Sequence, residues 1–576
     1  MNFSEPVTVP TVTLALSPNS KYIASSSQNK LTLRSVSTLN VFQHRKCMGI
    51  INSLVWSPDS SRIICVLKKL AVVQVYSVDE PEWMCQLDEG AAGILSAEWA
   101  PDSLHVLNVS DFNLQITVWS LSGTNIAQLK YAKPHANKLP FSPCGRYLAL
   151  LQRHEFRDQL SIFDRVNNWA LLQSLELNTQ DVVGVLWSAD GRYLAIWDEC
   201  LRYRITIYTL DGRNLKTYCA YEPCEQLLGV KSVCWSPIGP LLAIGSYDEQ
   251  CRILSGPDWE CLATLPHFVE KPINPHLGLG PVESDENLSY RPHRVDVYEE
   301  FRSPMNTDES LSNSKEQLPG VVYRLVDDPV LIRSTRPDPK LPFPKIGIGL
   351  LAFSTDGHFL ACRNDNAAHV VWIWSLDHRL SLFSLLIHSN AVTCLVWDPT
   401  SPARLAICTG SDAFFMWTPQ GCLAVQVPAH FKFLITSISW FSNNDALLLK
   451  SETQFTFCYL QNSDPTVQPI IWEPPKPTML RGVAVELPLD SPLPRGGFGD
   501  SMNETMGDEP KWLKQRRTAS PSKRSDPHGE LCVIDSRRGL PSARTAVAVP
   551  HNARQAWVRP SMTDSSGLVG QEQDDT

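Results

Sequence analysis

One unit recurs along this 576-residue chain at a nearly constant interval. An apolar or aromatic residue is followed by Ser-Pro-Asp-Gly or a close variant. It stands at Leu16 in "ALSPN", Trp56 in "VWSPD", Trp99 in "EWAPD", Phe141 in "PFSPCG" and Trp187 in "LWSADG". It returns at Trp235 in "CWSPIG", Phe353 in "AFSTDG", Trp397 in "VWDPT" and Trp440 in "SWFSNN". The steps between neighbours are 40, 43, 42, 46, 48, 118, 44 and 43 residues, so only one departs from the period. A period of this size confines a chain to architectures in which each unit buries its apolar face against the next. Nine copies of one turn are what such a fold requires, so the motif reads as architecture and not as a functional site.

Ser, Pro, Asp and Gly in that order suit the four positions of a type I turn, with Pro supplying the fixed φ of the second. The aromatic residue closes one strand before the turn. A second apolar strand follows, such as "YLAL" from Tyr147 or "LLAIGS" from Leu241. After a short polar loop comes a third strand of alternating type, such as "QITVWS" from Gln115 or "VVWIWS" from Val370. A fourth follows each time, for instance "CLATL" from Cys261 and "CLAVQV" from Cys422. Four short strands per 40 to 45 residues predict an all-β fold, a β-propeller of about nine four-stranded blades. A single closed ring leaves fewer open strand edges than a seven-bladed ring with two extra units, and is the favoured arrangement.

Net charge is −9, which argues against a protein that coats nucleic acid through its overall field. No apolar run reaches the ~20 residues that span a bilayer, and "MNFSEPVTVP" lacks the features of a signal peptide, so the chain reads as intracellular. The 16 cysteines lie singly within apolar strands without zinc-ligand spacing, and read as buried free thiols.

The stretch "LLAIGSYDEQCRIL" at 241–254 resembles the second and third strands of a WD-repeat blade, with Asp248 in the usual turn position and Leu254 where that family has Trp. Trp119, Tyr208, Trp374 and Trp417 keep an aromatic residue at the equivalent place. The family's Gly-His pair is absent, and His388 and His430 sit nearest to where it would fall, which takes the histidine out of the usual Asp-His-Ser-Trp relay. Segments such as "LAIWDECLRYRITIYTLDGR", "PKIGIGLLAFSTDGHFLACRNDN" and "RLAICTG" narrow the resemblance to the WD-repeat proteins of centrosomes and spindle poles, from Met1 to about Trp472. That resemblance implies a scaffold at spindle poles and ciliary bases that anchors microtubule minus ends. The partners it implies are a coiled-coil protein of the synovial-sarcoma-X-breakpoint-interacting type, a minus-end-directed kinesin, and tubulin or gamma-tubulin complexes.

The long step holds one blade and about 74 surplus residues, which divides the chain. Blades one to six occupy 1–267, a flexible insertion 268–343, blades seven to nine 344–472, and a disordered tail 473–576. Within the insertion, "VVYRLV" at Val321 is either an edge strand or a loop. Gly347 to Ala352 fits G-x-G-x-x-A but leads into a strand instead of a helix, so it does not read as a dinucleotide site. No cofactor, metal set or catalytic arrangement is recognised, and the chain does not read as an enzyme. A propeller of the translation-initiation-factor type is the alternative, through its similar Ser-Pro-Asp-Gly repeats.

Binding is expected in the loops joining second to third strands, on the rim opposite the Ser-Pro-Asp turns. The candidates are Trp197, Asp198 and Glu199; Tyr247 and Asp248; Arg363, Asn364, Asp365 and Asn366; and Ser411 and Asp412. Asp and Asn also hold tight turns through their own side chains. In the tail, Ser520 within the basic "KWLKQRRTASPSKR" is a candidate phosphorylation site, where phosphate would add close to two negative charges.

Overall fold

The computed structural model describes residues 1–460 and 532–535, without 10–12, 124–125, 134–137, 224–227, 269–271, 277–293, 303–319, 336–344, 378–379 and 443–445. Ser520 and nearly all of the predicted tail lie outside the described residues. The repeat is a blade, as predicted. In blade 2, Ser53–Trp56, Arg62–Leu67, Val72–Ser77 and Met84–Asp88 pair antiparallel, each with the next. The same four-strand order recurs from Thr13 in blade 1 to Gly421–Gln426 in blade 8, giving nine small sheets. In blade 4 the first strand shrinks to a single bridge, Phe141 to Leu148.

The turn chemistry explains the motif. The Ser57 amide donates to Arg62 O, the Ser60 amide donates to Ser57 O, and the Ser57 hydroxyl donates to Asp59 at 2.5 Å. The fourth turn position is left-handed: φ is 69° at Gly145, 70° at Gly191 and 69° at Gly357. Glycine meets that demand without strain. Ser20, Ser60 and Ser103 adopt it too, and each puts its hydroxyl to use between blades. The Asn19 amide donates to Ser60 Oγ at 3.0 Å, and the Asp59 amide donates to Ser103 Oγ at 3.1 Å.

The recurring Trp is a staple of the same kind. The Trp56 indole donates to Ala15 O, Trp99 to Val55 O, Trp187 to Pro140 O and Trp235 to Leu186 O, at 2.9 to 3.2 Å. Trp397 and Trp440 repeat the bond to Ala352 O and Val396 O. Each bond reaches back one blade, and each ring fills the space between two sheets. Apolar side chains form nine clusters, one per blade interface, from Leu33 with Ile63 between blades 1 and 2 to Val425 with Ile438 between blades 8 and 9.

The ninth cluster joins the last blade to the first. Ile23 and Val36 of blade 1 pack with Phe441, Leu448, Phe455 and Phe457 of blade 9. The Ser442 amide donates to Ser20 Oγ at 2.9 Å, the bond that links turns elsewhere in the ring. The nine sheets therefore form one closed cycle, and the seven-plus-two arrangement is excluded. Blade 9 departs from the expectation that a fourth strand follows in sequence. Its outer strand comes from the other end of the chain: Asn2–Phe3 and Val7–Thr8 pair antiparallel with Gln454–Tyr459.

Residues 268–343, expected as a flexible insertion, contain two strands. Asp296–Arg302 pairs parallel with the outer strand of blade 7, and Val321–Val326 pairs antiparallel outside it, making a six-stranded sheet. Of the two alternatives at Val321, the structure holds the edge strand. Its physical basis is a second apolar seam, where Val297 is buried and Tyr323 packs against Phe415 of the next blade and against His388, which follows the outer strand of blade 7. From the far end, Cys532–Asp535 pairs parallel with Cys85–Asp88, the outer edge of blade 2.

Candidate interaction face

Because all four strands of a blade are antiparallel, the loops from second to third strand and the connections to the next blade share one face. The Ser-Pro-Asp turns lie on the other. Every described rim candidate therefore lies on one face, but their side chains are engaged in different ways.

Between blades 6 and 7 the structure brings five of them together. Lys231 Nζ sits 2.6 Å from Asp365 and 5.4 Å from the centre of the Tyr247 ring, and Arg363 also pairs with Asp365. Asn364 and Asn366 donate to the two carboxylate oxygens of Glu249 at 2.6 and 2.9 Å. Asp248 is held by Arg252 at 2.7 Å and by the Tyr221 hydroxyl at 2.6 Å. Burial alone would raise the Asp248 carboxyl, but this partnership keeps it below its ordinary range. In blade 8, Asp412 pairs with Arg302 of the inserted strand at 3.1 Å, while the buried Ser411 hydroxyl donates to Ala413 O. These side chains tie loops to neighbouring blades.

A histidine relay is present where sequence did not place it. His267, at the end of blade 6, accepts the Trp374 indole hydrogen at Nε2, 3.2 Å away, and its Nδ1 faces Leu265 O at 3.0 Å. Nδ1 therefore carries the ring hydrogen. Full burial pushes its pKa down to about 3, so it stays neutral. Neither His388 nor His430 takes this role: His388 meets Tyr323, and His430 lies in a short 3-10 turn. In blade 3 a carboxylate replaces the histidine. Glu89 is buried and accepts from Trp119 at 2.5 Å, Asn108 at 2.8 Å and Thr117 at 2.9 Å. A His search misses both, because Pro266 and not Gly precedes His267, directly after the strand Glu260–Pro266, and Glu is not the family residue.

Asp198 differs from the rest. Its carboxyl is buried at the end of the second strand of blade 5, and neither oxygen has a hydrogen-bond partner among the described residues. Desolvation pushes its pKa up to about 6, against the pull of Arg204 and Arg202. The folded state thus holds a proton that the unfolded chain, titrating near 3.9, releases. Stability contributed by that proton is full at low pH and lost as pH rises through about 6. Asp198→Asn is expected to raise the unfolding free energy measured in urea at pH 7.5 by about 1–3 kcal/mol, with the gain vanishing near pH 4; the same difference between variant and unaltered chain at both pH values would contradict it. The neighbouring Glu199 amide donates to Asp181 O, and Trp197 crosses in front of Gly184, where any Cβ would collide with its indole. Trp197 lines an open cavity of about 800 Å³ in the channel wall with Phe141, Val183, Lys231 and Val233.

Two exposed residues on this face escaped the sequence reading. Phe112 is 90% exposed at φ 60° and Phe156 is 94% exposed at φ 65°. A bulky residue in the left-handed region is strained by about 1–3 kcal/mol. Phe156 tips a hairpin whose strands, Tyr147–His154 and Arg157–Asp164, have eight residues against five or six in most blades, so it stands proud of the rim. Their signal was an aromatic residue inside an otherwise polar loop.

The sheets, the Trp staples and the His267–Trp374 contact define a WD-repeat β-propeller. A WD domain, G-beta repeat profile matches residues 221–255, and the profile of eukaryotic translation initiation factor eIF2A matches residues 74–226. The chain is 39% identical over 475 residues to WD repeat-containing protein WRAP73 of Mus musculus, covering 81% of this chain and 97% of that protein. It therefore belongs to the WD-repeat protein family of WRAP73. An uncharacterized WD repeat-containing protein of Schizosaccharomyces pombe is 23% identical, over 71% of this chain and 80% of its own. A crystal structure of a eukaryotic initiation factor overlaps 73% of this chain and 89% of its own, at 9% identity and a TM-score of 0.46.

Proposed function

We propose that the protein is a non-enzymatic scaffold of centrosomes and spindle poles that anchors microtubule minus ends, with roles in spindle assembly and ciliogenesis. The observation that supports scaffolding is the contrast on one rim: polar side chains over blades 6 to 8 are consumed in ion pairs, while blades 1 to 4 present exposed apolar and basic groups. A rigid ring presents such groups in fixed positions, which favours binding over catalysis. The spindle-pole setting rests on the sequence resemblance. Its partners in this reading are a coiled-coil protein of the synovial-sarcoma-X-breakpoint-interacting type, a minus-end-directed kinesin and tubulin or gamma-tubulin complexes. Localising a tagged chain in dividing cells tests it: enrichment at spindle poles is expected, and diffuse cytosolic signal through mitosis would remove it.

A second reading is favoured by the eIF2A match over residues 74–226. An initiation-factor-like chain would sediment with small ribosomal subunits in a sucrose gradient; the scaffold reading predicts that it remains at the top.

A further inference from the structure

We infer that the rim over blades 1 to 4 is a docking surface for an acidic, amphipathic helix of a protein partner. This rests on the scaffold reading and names what that scaffold holds. Exposed apolar groups recur on this face from blade 1 to blade 4. Met48 and Ile50, both exposed, lie in the connection leaving blade 1, and Leu70 of blade 2 packs so closely on Gly49 that a Cβ there would stand 2.8 Å from its methyl group. Leu95 and Asn113 line a small cleft with Lys133 between blades 3 and 4. Exposed Leu114 accepts the Tyr131 amide at its carbonyl, and the Tyr131 ring lies 4.9 Å from His154, two residues before Phe156. The raised hairpin of blade 4 closes the arc like a wall.

Charge on the same loops selects the partner. Lys30, Lys46, Lys68, Lys69 and Lys130 are exposed on the loops and strand ends of this rim, and the exposed acids there are fewer, Asp111, Glu155 and Glu176, the last of them paired with Arg157. A basic, apolar surface on a chain of net charge −9 is a local reversal of sign. Such a reversal steers an acidic partner and fixes its orientation. Both nucleic acid and acidic protein carry the matching charge, but the apolar groups discriminate. The surface exposes three rings, Phe112, Tyr131 and Phe156, but Met48, Ile50, Leu70, Leu95 and Leu114 outnumber them, give a base nothing to stack on, and suit the Leu-type anchors of a helix read at i, i+3, i+4 and i+7. Phe112 and Phe156 fit as the aromatic anchors around which binding energy concentrates.

The test uses the full chain and an 18-residue helical peptide with a leucine stripe flanked by Glu, followed by fluorescence anisotropy. Saturable binding is expected, weakened at least tenfold by Phe112→Ser with Phe156→Ser, and at least tenfold by Lys68→Glu with Lys69→Glu. Ile238→Ser, on the opposite face, should leave it unchanged, and the same peptide with Lys in place of Glu should not bind. Near-UV circular dichroism unchanged in each variant shows that the ring is intact. Equal binding of the Lys peptide, insensitivity to both rim variants, or displacement of the peptide by oligouridylate at lower concentration would overturn the inference. If the Phe112/Phe156 variant still enriches at spindle poles, this surface is dismissed while the scaffold reading stands; if the unaltered chain binds the peptide but never reaches the poles, the reverse holds.

Discussion

Removing residues 1–9 is expected to open the ring and leave a chain that no longer behaves as a monomer. Those residues supply the outer strand of blade 9, and Ser4 is bonded on both sides, to Phe457 through its amide and hydroxyl and to Thr456 through its carbonyl. Without them the Gln454–Tyr459 strand becomes a free edge above Phe455 and Phe457, which are fully buried in the intact ring. A bare, apolar edge is a template for pairing with other chains. Val9, also buried in the closing interface, would be lost with them. Size-exclusion chromatography should show oligomers or loss of soluble protein, and limited proteolysis should cut first between residues 446 and 459. A monodisperse, protease-resistant product would show that the remaining contacts close the ring alone.

Glu89→Leu is the second substitution with a large expected effect. Its carboxylate is the shared acceptor for three buried donors, the indole of Trp119, the amide of Asn108 and the hydroxyl of Thr117. An apolar replacement of similar size leaves them without partners, at a cost of about 3–5 kcal/mol. Glu89→Gln keeps an oxygen for the indole and the amide, and its own NH₂ can donate to the Thr117 hydroxyl, so its loss should stay below about 1.5 kcal/mol. Urea denaturation followed by Trp fluorescence separates the two. Comparable losses in Leu and Gln variants would mean that charge, rather than the number of acceptors, stabilises this site.

Much of the fold was legible because its determinants are local. A Ser-Pro-Asp-Gly turn needs only its own residues and a left-handed fourth position, and the strands on either side are short apolar runs. The period then fixes the architecture. The Trp before the turn was visible in sequence, but its indole bond to the preceding blade was not, because a donor does not announce its acceptor 41 to 49 residues away. The same distance hid His267, which serves Trp374 across 107 residues, and Glu89, which serves Trp119 across 30.

The rim candidates divide on the same line. Sequence placed Asp248, Asn364, Asp365, Asn366 and Asp412 in the right loops, since turn-forming residues mark loops. Exposure is a property of neighbours, so only the tertiary structure shows these groups spent on Arg252, Glu249, Lys231 and Arg302 while Phe112 and Phe156 face solvent. What the sequence by itself determined was the unit and its repetition, since hydrogen bonds within a turn and alternation along a strand span few residues. How nine units close, from which end the last strand comes, and which rim is left apolar are decided by contacts between residues up to 453 positions apart. No local pattern carries that information, because those energies exist only once the ring has formed.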